Sequence, residues 1–252
     1  MHPELDIARP KMTDQIDLNL LLNAYAMGIF PMADDRDAPD IYWVEPKKRA
    51  ILPLDQFHLS RSLRKTLKSG RYETSFNAAF AQVLRLCAAS APDRPDTWIN
   101  RQIEDAMLGL HAIGHAHSIE TWADGELVGG LYGVSLGRAF FGESMFSRRA
   151  DASKVALAHL VARLRVGGFT LLDCQFQTAH LRSLGAIEID KKAYSAVLGA
   201  AVSTGDAAGA APTSGVLGAL DALPDPDAPP RAMIVDGPTS AWRILQALTQ
   251  TS

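Results

Sequence analysis

The chain has 252 residues, 47% of them apolar and 21% charged, which supplies a sizeable packed core and excludes a wholly disordered polymer. At ~150 residues per domain, that length suits one main domain plus an accessory piece. A net charge of −3 argues against a surface basic all over, and the two cysteines, Cys87 and Cys174, cannot build a disulfide framework and suit a reducing cytosol.

No apolar run reaches the ~18–20 residues of a membrane span. The opening MHPELDIARPKM mixes charges without an apolar segment, so it does not read as a secretory leader, and a cytoplasmic protein is expected. Leu18, Leu21, Leu22 and Tyr25 recur at i, i+3, i+4, i+7 and predict a short amphipathic helix, stopped by Gly28 and Pro31. Ile41–Val44 predicts a strand closed by Pro46, so the opening is a small α+β unit.

From Lys47 to Arg71 the chain carries eight Lys/Arg against one acid, Asp55. Such segregation fits a phosphate-binding surface or a solvated helix face, and the run alone does not choose. Phe76, Phe80, Val83, Leu84 and Cys87 predict a second helix, ended by a loop over 92–95; Ile103, Ala106, Met107 and Leu110 predict a third. The period then shortens. Ser118–Trp122 and Leu127–Val134 flank Asp124-Gly125, a strong hairpin signal, and Arg138–Phe146 reads as the next strand. Asp151 is placed to cap a helix through Leu157, Leu160, Val161 and Leu164, ended by Gly167-Gly168. A strand at Phe169–Phe176 and helices at Ala179–Leu184 and Ala193–Val202 follow. Residues 199–232 are rich in Ala, Gly, Pro, Asp and Ser and read as a linker, with Ala241–Thr249 as a short docking helix.

Four groups of residues bear on chemistry. Asp173 and Gln175, two apart on a predicted strand, share a face. A carboxylate buried there has either a task or a structural partner in a turn. Cys174 points the other way, beside Leu172, and reads as a small core residue rather than a nucleophile paired with His180. Glu143 interrupts the apolar run Phe140–Phe146 next to Gly142, which suggests a bulge or close ligand approach, or else an ion-paired edge residue. His111, His115 and His117 lie close in sequence but lack the pattern of a zinc site, and no metal is expected. The strand–strand–helix order after residue 118 resembles an N-acetyltransferase-like core. Ser147–Lys154, where such enzymes place a glycine-rich loop for the coenzyme A pyrophosphate, contains no glycine. An acyltransferase that does not use coenzyme A fits better than one that does.

Together the segments resemble the leucyl/phenylalanyl-tRNA–protein transferase family. The strings are Leu22-Asn-Ala-Tyr-Ala-Met-Gly-Ile-Phe-Pro31, His58-Leu-Ser-Arg-Ser-Leu63, Thr97-Trp-Ile99, His115-Ala-His-Ser-Ile-Glu120 and Leu127-Val-Gly-Gly-Leu-Tyr-Gly-Val134. They continue with Phe141-Gly-Glu-Ser-Met-Phe-Ser147, Ala152-Ser-Lys154, Asp173-Cys-Gln175 and His180-Leu-Arg-Ser-Leu-Gly-Ala186, in the family's order over about residues 18–198.

The resemblance implies an α+β fold: a small N-terminal α+β domain (1–57), then an N-acetyltransferase-like catalytic domain (58–198) with a central mixed sheet flanked by helices. A flexible tail (199–252) follows. It implies transfer of leucine, phenylalanine or methionine from aminoacyl-tRNA to the N-terminal Arg or Lys of a protein, marking it with a bacterial N-degron, with no cofactor. The alternatives are a noncatalytic tRNA- or peptide-binding relative and a coenzyme A-dependent N-acyltransferase.

Carried over by position, Asp173, Gln175 and Glu143 form the catalytic polar site. Trp98, Leu131, Phe140, Gly142, Leu157, Leu160 and Leu172 line the side-chain pocket, and Met32 and Met107 also contact substrate. Met32 stands where the family usually has Trp, and Met107 where it often has a Tyr that stacks on the terminal adenine. Arg61, Arg64, Lys65 and Lys68 are expected on the tRNA backbone. Asp173 and Glu143, with no Lys or Arg in either string, are expected to meet the acceptor's cation.

Overall fold

The computed structural model describes residues 15–89, 96–203, 214–223 and 239–249. The chain enters through α1 (Leu18–Ala26), capped by Asp17, whose carboxylate accepts from the Leu20 N–H at 2.8 Å. The helix buries Leu21, Ala24 and Tyr25. Gly28 turns the chain in the left-handed region (φ 78°), where a Cβ would stand 2.7 Å from the Tyr194 ring. β1 (Phe30–Met32) and β2 (Tyr42–Val44) then form a two-stranded antiparallel ribbon with Met32 opposite Tyr42.

The main sheet has seven strands in the order β4-β5-β6-β7-β8-β3-β9. They are β3 (Lys48–Ile51), β4 (Glu73–Phe76), β5 (Ala116–Ala123), β6 (Glu126–Leu136), β7 (Ala139–Ser147), β8 (Leu171–Gln175) and β9 (Ile187–Asp190). β5 and β6 meet at Asp124 (φ 54°) and Gly125 (φ 76°), a turn whose twist matches a hairpin. Among the described strands only β7 and β8 pair in parallel, across the helix α5 (Ala152–Val166) that joins them. The sheet is thus mixed, as the sequence implies.

Helices cover both faces. Alternation along β6 and β7 sends Leu131 and Phe140 to the side of α2 (Arg61–Lys68), α5, α6 (Ala179–Ser183) and α8 (Ala241–Thr249). It sends Tyr132 and Phe141 to the side of α1, α3 (Phe80–Ala88), α4 (Arg101–Ala112) and α7 (Lys191–Val202).

Several local expectations change. Phe76 belongs to β4, not to the helix that begins at Phe80. Asp151 stands at the head of α5 but adopts φ 64°, and its side chain holds Lys154 at 2.8 Å instead of capping the helix. The basic run Lys47–Arg71 is divided between a buried strand, β3, and an exposed helix, α2. In the low-complexity region, Leu217 and Leu220 are buried in a 3₁₀ turn over Leu217–Ala222. The neighbouring Val216 stays exposed. The predicted loop at 92–95, and the rest of the expected linker at 204–213 and 224–232, lie outside the described residues.

Candidate active site

β7 and β8 pair over three rungs, Ala139 with Leu171, Phe140 with Leu172 and Phe141 with Asp173, and then part. At the parting lies a cavity of about 420 Å³. One side is Gly142–Met145 of β7; the other is Leu172, Cys174 and Gln175 of β8 followed by Phe176. Leu131 of β6, Leu157 and Leu160 of α5, and Trp98 complete an apolar wall, with Thr178, His180 and Leu181 at and after the start of α6.

Two local irregularities aim the polar groups. Between β6 and β7 the register steps from Tyr132 opposite Ser144 to Gly133 opposite Gly142. Glu143 is therefore an extra, unpaired residue, and the bulge turns its carboxyl into the cavity wall. Gln175, the last residue of β8, takes φ 61°, sparsely populated for a side chain with a Cβ. Its amide Nε2 donates to Glu143 Oε1 at 2.8 Å. The two residues, 32 apart in sequence, thus form one hydrogen-bonded pair. Burial pushes the Glu143 carboxyl up to about 8, against the pull of Tyr25, Arg49 and Gln175. That shift favours the neutral form of the acid.

Asp173 sits behind the pair with no exposed surface. The guanidinium of Arg49, itself 1% exposed, grips it: Nε donates to both carboxylate oxygens (2.9 and 3.0 Å) and Nη2 to Oδ2 (2.7 Å). The Tyr194 hydroxyl donates to Oδ2 at 2.6 Å, and the Gln175 N–H to Oδ1 at 2.7 Å. Arg49 also donates to the Gly28 carbonyl at 2.9 Å and lies over the rings of Phe30 and Tyr194. The expectation that Asp173 offers an unpaired carboxylate to an incoming cation therefore fails. Strand pairing supplies a counter-ion from 124 residues away, and the carboxylate spends its acceptors on Arg49, Tyr194 and the strained end of β8.

Of the pocket residues named from sequence, Trp98, Leu131, Gly142, Leu157, Leu160 and Leu172 line the cavity. Phe140 does not; it is buried beneath it in the apolar cluster with α5. Met107 is fully buried on the inner face of α4 with Ile103, Ala106 and Leu110, so it presents no surface to an adenine. Met32 is half-buried in β1 and outside the cavity lining. Cys174 lines the cavity rather than filling the core, and burial pushes its thiol well up, which removes it as a nucleophile. Sequence reasoning missed Arg49, Tyr194 and Tyr25. Arg49 stood inside a basic run and read as surface charge; the two tyrosines fell on helical periods that read as plain core.

Arg61, Arg64, Lys65 and Lys68 all face solvent on α2, whose Leu63 and Leu67 are buried. Of the eight cations in the run, Arg49 is thus withdrawn, and Lys48 pairs with Glu188 at 2.9 Å. The three histidines serve the fold. His111 stacks on Phe80 and bonds to the Ala116 carbonyl, His115 bonds to the Ser135 carbonyl, and His117 sits between Asn77 and Ser135 Oγ. Burial brings His117 down to about 4.

A wedge between parting strands that seats an apolar group beside an amide–carboxyl pair has the layout of a group-transfer enzyme. The comparisons specify which. The family described as leucyl/phenylalanyl-tRNA protein transferase matches residues 51–199, and its N-terminal domain matches 14–47. The leucyl/phenylalanyl-tRNA–protein transferase of Rhizorhabdus wittichii is 58% identical over 245 residues, spanning 94% of this chain and 99% of its own. Those of Zymomonas mobilis (61% identical; 77% of this chain, 72% of the relative) and Paramagnetospirillum magneticum (60%; 70% and 84%) agree. The chain belongs to the leucyl/phenylalanyl-tRNA–protein transferase family.

Proposed function

We propose that this aminoacyltransferase moves leucine, and also phenylalanine or methionine, from aminoacyl-tRNA to the α-amine of a protein whose N-terminal residue is Arg or Lys. The observation that carries the site assignment is the Glu143–Gln175 pair set in the wall of an apolar cavity. The cavity takes the donor's side chain; Leu157, Leu160 and Leu172 can bury it for ~1.5–3 kcal/mol and offer nothing to a charged one.

The chemistry is aminolysis of an ester that is already activated. The acceptor nitrogen attacks the ester carbonyl carbon, the ribose oxygen leaves, and the nitrogen's proton ends on that oxygen. The amine must be neutral, which its ordinary value of ~7.7–8 makes easy. Gln175 is too weak a base to act by proton abstraction. With Nε2 committed to Glu143, its Oε1 is the remaining acceptor, suited to receive an amine N–H and aim the lone pair. Asp173 is a positioning residue: through Arg49, Tyr194 and the Gln175 N–H it fixes the strained turn that presents the amide. Glu143 selects the acceptor, because a cation entering beside it draws the acid into its ionised form.

The test is direct. Labelled Leu-tRNA and an Arg-starting peptide should give leucylated peptide, with acetyl-coenzyme A as the control acyl donor. Gln175→Ala should be inactive and Gln175→Glu partly active. Near-normal rates in both would remove Gln175 from the mechanism, and acetyl transfer without leucyl transfer would overturn the reading.

A further inference from the structure

Residues past 199 fall outside the family match, yet their described parts are bonded into the catalytic core. Arg163 of α5 is 1% exposed. Its guanidinium donates to both oxygens of Asp221 (2.6 and 2.8 Å), to the Leu217 carbonyl (2.9 Å) and to the Thr239 hydroxyl (3.0 Å). Its Nε donates to His159 Nε2 (2.8 Å), and its plane lies over the Phe76 ring. A guanidinium out of water needs a matched counter-ion, and among the described residues Asp221 in the 3₁₀ turn supplies it.

Arg165, two residues on, donates to the Ala247 and Leu248 carbonyls at the end of α8, where a cation also suits the helix dipole. Thr239 pairs with β4: its N–H donates to the Thr74 carbonyl (2.7 Å), and the Thr74 hydroxyl donates back (3.2 Å). At Gly215 the backbone passes so close to Phe169 that a Cβ would stand 2.2 Å from the ring. Leu217, Leu220, Ile244 and Ala247 then bury in one cluster with α5 and with Leu63 and Leu67 of α2.

Two working parts therefore rest on this segment. α5 also carries Leu160 and Leu157, one and two turns before Arg163, in the cavity wall. α2 turns its apolar side to the cluster and its cations to solvent. We infer that the C-terminal segment is a positioning element of the aminoacyl-tRNA site: the Arg163–Asp221 clamp and α8 set both the cavity wall and the basic helix. The inference rests on the reading of cavity and α2 as that site. Arg163 and Asp221 touch no substrate and are positioning residues.

Full-length Asp221→Ala, Ile244→Asp and the conservative Asp221→Asn test it. Each is read by limited proteolysis, which reports release of the segment, and by separate KM values for Leu-tRNA, Phe-tRNA and an Arg-starting peptide. Asp221→Ala and Ile244→Asp should release the segment and raise KM for Leu-tRNA by about ten-fold, with a changed Leu/Phe ratio and a peptide KM within about two-fold of wild type. Asp221→Asn keeps an acceptor for Arg163 and should restore most of the tRNA affinity. A released segment with unchanged KM for both tRNAs would overturn the inference. Should the first two variants fail to fold, Asp221→Asn and Thr239→Val provide a milder series, and proteolysis rates that do not track KM would overturn it equally. A wild-type protein inactive with Leu-tRNA would instead sink the functional reading; an active wild type with insensitive variants sinks this inference alone.

Discussion

Glu143 and Asp173 are both buried acids, and their surroundings give them opposite tasks. Glu143 accepts from the Gln175 amide and is pushed up to about 8 by burial, against the pull of Tyr25 and Arg49. Its proton is held more tightly in the fold than in the unfolded chain, where the value is ~4.3. The stabilisation from that bound proton is complete below pH ~4.3 and is lost as pH rises through about 8, at up to ~1.4 kcal/mol per pH unit. Glu143→Gln should therefore flatten the dependence of the urea midpoint on pH between 5.5 and 8.5. The wild-type KM for an Arg-starting peptide should fall over the same interval as the acid ionises. A wild-type KM that does not move between those pH values would remove Glu143 from acceptor selection.

Asp173 is paired before any substrate arrives. Asp173→Asn should lower kcat for Arg- and Ala-starting peptides alike, because the carboxylate faces Arg49 and not the acceptor. A narrowed Arg/Ala ratio in that variant would restore the role expected from sequence. Arg49→Met leaves a buried carboxylate unpaired and should cost about 3–5 kcal/mol of stability. The double variant Arg49→Met/Asp173→Leu should recover much of that loss in a denaturant titration and stay inactive, since nothing then holds the Gln175 N–H.

At the scale of elements, α2 shows one helix meeting two demands. Ser60 caps it, accepting from the Leu63 N–H at 3.1 Å, and Leu63 and Leu67 fix its inner face. The four outward cations supply charge without any pattern that reads bases. Changing Arg61, Arg64 and Lys65 to Glu should raise KM for tRNA, spare the peptide, and flatten the salt dependence by ~0.7–0.9 in log–log slope per lost phosphate contact. Melting temperature should barely change, because all three side chains are exposed. An unaltered salt slope would place the tRNA elsewhere.

The same scale shows what the sequence could reveal. Helices with a 3.6-residue apolar period, such as α1 and α4, were legible, as was the β5–β6 hairpin from Asp124-Gly125. So was the bulge, from one glycine and one acid in an apolar run. The short strands β3, β4 and β9 were not. Four residues carry too little alternation, and Lys48-Arg-Ala-Ile51 is a strand because of the partners on either side of it. The site was half legible for the same reason. Glu143 and Gln175 stand out locally, whereas the Arg49 that neutralises Asp173 is defined only by the pairing of strands far apart in the chain.

For the whole molecule, that pairing decides how the chain divides. The sequence reading puts a boundary near residue 57, where a small α+β unit precedes the longer run. β3 lies before that boundary, but it is inserted between β8 and β9, with Ile51 opposite both Asp173 and Ile187. α1 shares an apolar cluster with α4 and α7, and Tyr25 packs on Phe141 with ring centres 5.0 Å apart. A chain beginning at residue 58 would lose an interior strand, leave two sheet edges unpaired and strand Asp173 without its counter-ion. It should therefore show no cooperative thermal transition and no near-ultraviolet dichroism. Adding residues 15–57 back as a separate peptide should restore some of both, because the missing strand has a ready slot. A 58–252 chain that melts cooperatively and still protects the Gln175 amide from hydrogen exchange would show that the two parts fold independently and that β3 is dispensable to the site.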